Sequence, residues 1–204
     1  MVLAWSNQLR RLAAVRILTC VIGDDFPAIL AAAQDGSEDA FAVLWRDANP
    51  ALLRYLRVAA PDATEDVAAE IWVQVVRGLA KFRGDERGWR GWLFTIARRR
   101  ALDERRRRAR HPVTPLVELP GGLEPRAPDA AGQAIENLAT EATLAAVATL
   151  PSQQAEVILL RVVAGLDTDA VARIVGRSPG AVRVAAHRGL RRLAQILTMS
   201  GVTP

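Results

Sequence analysis

The amino-acid sequence predicts an all-α protein: two small helical domains joined by a proline-rich linker, the second containing a helix-turn-helix. Three observations carry that reading. No stretch of the 204 residues shows sustained two-residue alternation with β-branched enrichment, the pattern of a half-buried strand. Apolar residues instead recur at three- and four-residue spacing through most of the chain. Residues 112–128, PVTPLVELPGGLEPRAP, then gather Pro112, Pro115, Pro120, Pro125 and Pro128 around a Gly-Gly pair. Prolines at that density stop helices and favour extended chain.

The first 24 residues read as an N-terminal extension. Arginines at 10, 11 and 16 interrupt its apolar run before the length a secretory signal needs, which leaves an amphipathic helix or an over-extended start. Residues 25–111 form the first domain, with helices expected near 25–34, 37–59, 64–81 and 89–108. The linker takes 112–136. The second domain, 137–198, has helices expected near 137–149, 152–164, 167–175 and 178–197.

Composition narrows the function. Half of the residues are hydrophobic, so two cores can be buried, and a formal net charge of +5 favours a polyanionic partner. The single cysteine, Cys20, excludes a disulfide scaffold and a cysteine-rich zinc site. His111 and His187 are the only histidines, and no phosphate loop, catalytic triad or metal-ligand set accompanies them. No enzyme activity, metal or cofactor is expected, nor stable membrane insertion, since no stretch is long enough to span a bilayer.

Charge is partitioned along the chain. Residues 24–80 carry ten acids against four arginines, and 81–111 carry twelve basic residues against Asp85, Glu86, Asp103 and Glu104. Residues 112–151 hold five acids against Arg126, and 152–198 hold seven arginines against three acids. Lys81 is the only lysine. Arginine's planar fork grips phosphates and guanine edges bidentately, which a lysine cannot do. One acidic and two basic regions imply different partners for different parts.

In the helix 64–81, Val67, Ile71, Val75 and Leu79 lie at four-residue spacing with Ala68, Trp72 and Val76 beside them. Asp66, Glu70 and Gln74 form the adjoining polar stripe, flanked by Arg77. That stripe is either a solvated face or a dock for a basic protein. In the next helix Trp89, Trp92, Leu93 and Ile96 cluster on one side before the run RRRALDERRRRAR (98–110). Arg98 and Arg105 share one face and Arg99 and Arg106 its neighbour. Burying them unpaired would cost several kcal/mol each, on the order of the penalty for any unpaired buried ion. They must face solvent, acids or phosphates. Aromatic rings beside guanidinium groups also suit single strands, because bases stack on both.

The segment GLDTDAVARIVGRSPGAVRVAAHRGLRRLAQIL (165–197) fits a helix-turn-helix. Ala172 permits close helix approach, Gly176 supplies a left-handed turn, Ser178 an N-cap and Pro179 the first helical position. Val171, Val175, Val182 and Leu190 hold the pair together. A recognition helix presents its N-terminal residues to base edges and later ones to phosphates. Ser178, Arg183 and either His187 or Arg188 are therefore base-reading candidates, and Arg191 and Arg192 phosphate clamps.

Three stretches in this order resemble the extracytoplasmic-function group of bacterial sigma factors across residues 25–198. ATEDVAAEIWVQVVRGLAKFRGD (63–85) is similar to the family's AEDxxQExF-type helix and FRG turn. WLFTIARRRALDERRRR (92–108) is similar to WLxxIARNxxxDxxRR. Residues 150–193 resemble the LPxxxRxVxxLR…GLSxxEIAxxLGxSxGTVKSRxHRAxxxL module. The resemblance implies a cytoplasmic initiation factor that directs core RNA polymerase to promoters. Asp66, Glu70 and Gln74 would dock on the polymerase clamp helices. Arg83, Trp89, Trp92, Arg98 and Arg99 would recognise and open the −10 element as a melted single strand. The linker would thread the polymerase cleft, and the last module would bind the −35 duplex and the flap. Members are often held inactive by an anti-sigma factor, so such a partner is also implied. The chain departs from the pattern at Ala69, Arg99, Ala181, Val184 and Ala185, and the last three remove polar readers and imply an unusual −35 preference. Two other classes stay open from the residues alone: a stand-alone helix-turn-helix regulator, which would bind duplex without polymerase, and a basic protein of membrane surfaces.

Overall fold

The computed structural model describes residues 22–110 and 141–199, and among them all regular structure is helical. The N-terminal extension as far as residue 21, the expected linker and the start of the 137–149 helix lie outside the described residues. A 3-10 turn, Gly23–Asp25, leads into α1 (Phe26–Gln34), α2 (Glu38–Ala59), α3 (Thr64–Leu79) and α4 (Glu86–Arg110). The second group is α5 (141–148), α6 (Ser152–Ile158), α7 (Thr168–Val175) and α8 (Pro179–Met199). No described helix is long and apolar enough to cross a membrane.

The boundaries follow from local caps. Ser37 accepts the Ala40 amide at the start of α2, and Asp167 accepts the Ala170 amide at the start of α7. The fourth helix begins three residues earlier than its apolar pattern suggests. Asp85 accepts the Gly88 amide at 2.7 Å through its carboxylate and the Trp89 amide at 2.9 Å through its carbonyl. The Glu86 carboxylate meanwhile accepts the amides of Ile22 and Gly23, fastening the start of α1 to α4.

Helices α1–α4 enclose the first core. Leu44, Leu52 and Leu56 of α2, Ile71 and Val75 of α3, and Leu93 and Phe94 of α4 are almost wholly buried. Tyr55 meets Phe94 edge-on at 5.6 Å, and burial holds the Tyr55 phenol protonated well above its ordinary range. Val76 departs from expectation: it is 56% exposed, because α3 buries only the 67/68–71/72–75–79 stripe. One ion pair lies inside this core. Arg90, 5% exposed, places a guanidinium nitrogen 2.7 Å from Asp47 and another 3.7 Å from Glu86.

At the far end of α4, buried Glu104 accepts from Arg108 and pairs with Arg107, both at 2.7 Å. Arg108 also reaches Asp62, locking α4 to the turn before α3. Its hydrogen bond from Arg108 holds the Glu104 carboxyl below the ordinary carboxylate range despite burial. A carboxylate with a depressed folded-state pKa stabilises above its unfolded value and loses that contribution as pH falls through the folded one. The stability deficit of Glu104→Gln should therefore be largest at neutral pH and shrink below about pH 4. Thermal melts of both proteins at neutral and acidic pH would check it, and a pH-independent deficit would assign Glu104 a packing role instead.

In the second module α6 opens into a π-helical turn, Leu159–Val163, where a continuous helix was expected. The Ala164 amide donates back to Leu159 at 3.0 Å, and the wider turn buries Leu159, Leu160 and Val163 together. Helix α8 crosses α6 closely at Gly189, where a Cβ would stand 2.7 Å from the Ile158 Cδ1. The modules also touch each other: α4 packs against α7, α2 packs against the π turn, and Arg98 bonds Glu156 across the junction.

Candidate nucleic-acid interface

Helix α4 divides its arginines by face, and the faces have different fates. Arg100 turns toward α3, hydrogen-bonding Gln74 at 3.1 Å and lying 3.5 Å from Glu70. Arg107 and Arg108 are spent on Glu104 and Asp62, and Arg106 on Asp103 at 3.6 Å. Arg98 donates to Glu156 at 2.8 Å with only a quarter of its side chain exposed. Arg99, one residue on, is exposed and has no acidic partner among the described residues. Arg98 and Arg99, grouped in the sequence as nucleic-acid contacts, are thus separated: Arg99 points outward and Arg98 faces the second module.

The aromatic residues separate in the same way. Phe82, Trp89 and Trp92 form one cluster, with Phe82 stacked on Trp92 at 5.2 Å and edge-on to Trp89 at 5.8 Å. Trp89 is fully buried, so its ring has no surface to offer a base and serves as the floor of the cluster. Half-buried Trp92 rests on Gly78, where a Cβ would stand 2.8 Å from the indole ring. A bare backbone there lets the ring lie against α3. Arg83 donates to the carbonyls of Ala80 and Phe82 at 2.8 and 2.6 Å, so it tightens the turn after α3 while remaining exposed. Trp92, Thr95 and Arg99 follow one another at helical spacing on the outer face of α4, with Thr95 donating to the Gly91 carbonyl.

The helix-turn-helix forms as its residues require. Gly176 adopts φ +66° in the left-handed region, the Arg177 amide donates to Ala172, and Ser178 accepts the Ala181 amide at 3.2 Å. The Ser178 hydroxyl oxygen is therefore engaged as a cap, although the residue is exposed. Val171 and Val182 are buried between the helices, with Val175 and Leu190 half-buried beside them. Arg183, His187, Arg188, Arg191 and Arg192 are all exposed on α8, and none of the four arginines has an acidic partner among the described residues. Val184, expected only to remove a polar reader, is 49% exposed among these cations. An apolar branch on a basic recognition helix can meet a thymine methyl.

The acidic stripe of α3 also gains a neighbour. Asp66 and Glu70 are exposed, while Gln74 is half-buried under Arg100. Beside them Val73 and Val76 are at least half exposed, and Trp45 of α2, 41% exposed, leans on Trp72 at 6.4 Å. Trp72 itself donates to Asn49 at 2.9 Å. The result is an apolar surface next to a carboxylate pair, a composition suited to protein contact. No group of histidine, cysteine and carboxylates fit to hold a metal ion occurs among the described residues.

Comparison with known proteins gives both halves a counterpart. Residues 44–111 match the family model described as sigma-70 region 2, and residues 140–193 match sigma-70, region 4. The chain is 34% identical over 186 residues to the ECF RNA polymerase sigma factor ShbA of Streptomyces griseus, covering 86% of this chain and 94% of that one. It is 33% identical over 168 residues to the ECF RNA polymerase sigma factor BldN of Streptomyces coelicolor, covering 81% of this chain but 63% of BldN. In fold it is similar to CnrH in complex with the cytosolic domain of CnrY, at a TM-score of 0.59 and 22% identity over 86% of this chain and 99% of that one.

Proposed function

Because the chain belongs to the extracytoplasmic-function group of RNA polymerase sigma factors, non-enzymatic subunits that give polymerase its promoter specificity, we propose that its two modules divide promoter recognition between identifiable residues. The observation that carries this division is the pairing of the arginines. Arg100, Arg107, Arg108 and Arg98, which face α3, the Pro61–Ala63 turn and α6, are paired with Glu70, Glu104, Asp62 and Glu156. Arg99 on α4 and Arg183, Arg188, Arg191 and Arg192 on α8 face outward without acids. Cations left unpaired on two outer faces are where phosphates are neutralised with least competition.

In this proposal residues 25–111 act at the −10 element. Unstacking costs on the order of 1–2 kcal/mol per base-pair step. Trp92, on its floor of Trp89 and Phe82, offsets this by stacking an exposed base, with Arg83 and Arg99 holding the strand's phosphates. Arg98 joins them once Glu156 releases it. Residues 137–198 act at the −35 duplex: Arg183, Val184, His187 and Arg188 meet base edges, and Arg191 and Arg192 meet phosphates. Asp66, Glu70 and Gln74 dock on the polymerase clamp helices, and residues 112–136 span the modules. The working compartment is the cytoplasm, where polymerase and promoter are. CnrH was solved with a second protein, CnrY, and a regulator that occupies the sigma factor is part of the reading here. A stand-alone helix-turn-helix regulator is disfavoured by the region 2 match of residues 44–111, a module it would not need.

Run-off transcription by core polymerase on a promoter library tests the reading. The protein should confer start-site selection on sigma-free enzyme; no selection would refute it. Arg183→Ala should lose about 1–3 kcal/mol at one −35 position, whereas uniform weakening would make Arg183 a phosphate contact. Val184→Ser should relax preference at a single thymine.

A further inference from the structure

The arginines of α4 that border the second module do not all find acids. Arg98 and Arg105, seven residues apart and so on one face, open onto a cleft of about 630 Å³ between the modules. Arg177, from the turn of the helix-turn-helix, lines the same cleft from the opposite side. One carboxylate, Glu156, faces these three guanidinium groups, and Arg98 takes it at 2.8 Å. Arg105 and Arg177 have no acidic partner among the described residues. The cleft therefore keeps two uncompensated positive charges in a concave space, where opposing walls focus their field.

Its floor is of another character. Half-buried Val58, Ala59 and Leu102 form an apolar surface beneath the cations, backed by buried Tyr55 and Leu159. Ser152 and Gln153 add exposed hydrogen-bonding groups at the edge. The volume lies within the range of small-molecule sites, which pair an apolar lining with a few convergent polar groups. An inorganic anion would use the arginines and leave the floor wet. An apolar molecule would use the floor and leave two cations without partners. A phosphorylated organic molecule satisfies both.

We propose that this cleft is a binding site for a nucleotide, its phosphates taken by Arg105 and Arg177 and its base laid on the floor of Val58, Ala59 and Leu102. Such a ligand touches α4 on one side and the α7–α8 turn on the other, so binding holds the two modules in the contact seen here. The site is distinct from the outward faces of α4 and α8 assigned to promoter DNA, and its occupancy does not depend on that assignment.

Calorimetric titration of the full chain with ADP tests the proposal, with adenosine and inorganic pyrophosphate as comparison probes. ADP is expected to bind and to raise the melting temperature. Arg105→Ala and Arg177→Ala should each weaken it by about tenfold or more, the expectation for losing a charged hydrogen-bond donor. Arg106→Ala and Arg173→Ala remove the same charge outside the cleft and should change the affinity by less than about twofold. Equal weakening by all four variants would overturn the site in favour of general basicity. Pyrophosphate binding as tightly as ADP would overturn the role of the floor, and adenosine doing so would overturn that of the arginines. Absence of any ADP binding at about 1 mM, a level at which even weak sites fill, would overturn the proposal outright.

Discussion

An Arg90→Ala variant is expected to lose about 3–5 kcal/mol of stability, the cost of removing one partner from a buried pair and stranding the other. Asp47, 4% exposed at its side chain, would be left with a charge, no counter-ion close by and the like-charged Glu86 as a neighbour. Burial already raises the Asp47 carboxyl above its ordinary range although Arg90 opposes it. Small domains are stable by about 5–15 kcal/mol, so this single change consumes much of the margin and should lower the melting temperature by about 15–30 °C. The pH dependence has a definite sign. A carboxyl with a raised folded-state pKa costs stability once pH exceeds its unfolded value, and removing Arg90 raises it further. The deficit should therefore be smaller at acidic pH, where protonation removes the stranded charge, than at pH 7. A double Asp47→Leu, Arg90→Met variant should recover most of the loss, since apolar isosteres of a buried pair are often neutral or better. A single variant melting within a few degrees of the parent would show that the pair contributes little.

This pair is also a measure of what the chain disclosed before its fold was known. The helices were legible from apolar periodicity, and several of their ends from cap residues: Ser37, Asp167, Gly176 and Ser178 all act where the residue types suggest. Face assignments within α4 were legible too, since residues 98/105 and 99/106 part as a 100° step per residue demands. Which face meets solvent was not. It depends on the second module arriving over residue 98, a long-range contact that periodicity cannot encode. The same holds for Asp47 and Arg90, 43 residues apart, each of which reads as an ordinary surface charge on its own helix. Trp89 shows the converse error. An aromatic beside arginines resembles a stacking platform, yet its neighbours Phe82 and Trp92 close over it. Val76 erred in the other direction, because an apolar residue at the margin of a buried stripe can fall on either side of the waterline.

That marginal residue gives the largest functional effect expected from one surface. Three of the five most exposed large hydrophobic residues in the described structure, Trp45, Val73 and Val76, lie beside Trp72. The apolar area adjoins Asp66 and Glu70, the pair proposed to dock on polymerase. Buried apolar anchors supply affinity in such interfaces, and exposed charges at the rim supply orientation and rate. Loss of one anchor costs about 2 kcal/mol, close to thirtyfold in affinity. A Val73→Asp, Val76→Asp variant should therefore weaken binding to core polymerase by about a hundredfold or more while leaving the melting temperature almost unchanged, because both side chains already face water. Glu70→Arg, which sets a second cation beside Arg100, should instead act mainly on the association rate and its salt dependence. Binding kinetics with immobilised core enzyme separate the two. Full affinity in the double aspartate variant would remove this surface from the polymerase contact, and a faster dissociation confined to it would identify the valines as the anchors on which the carboxylates depend.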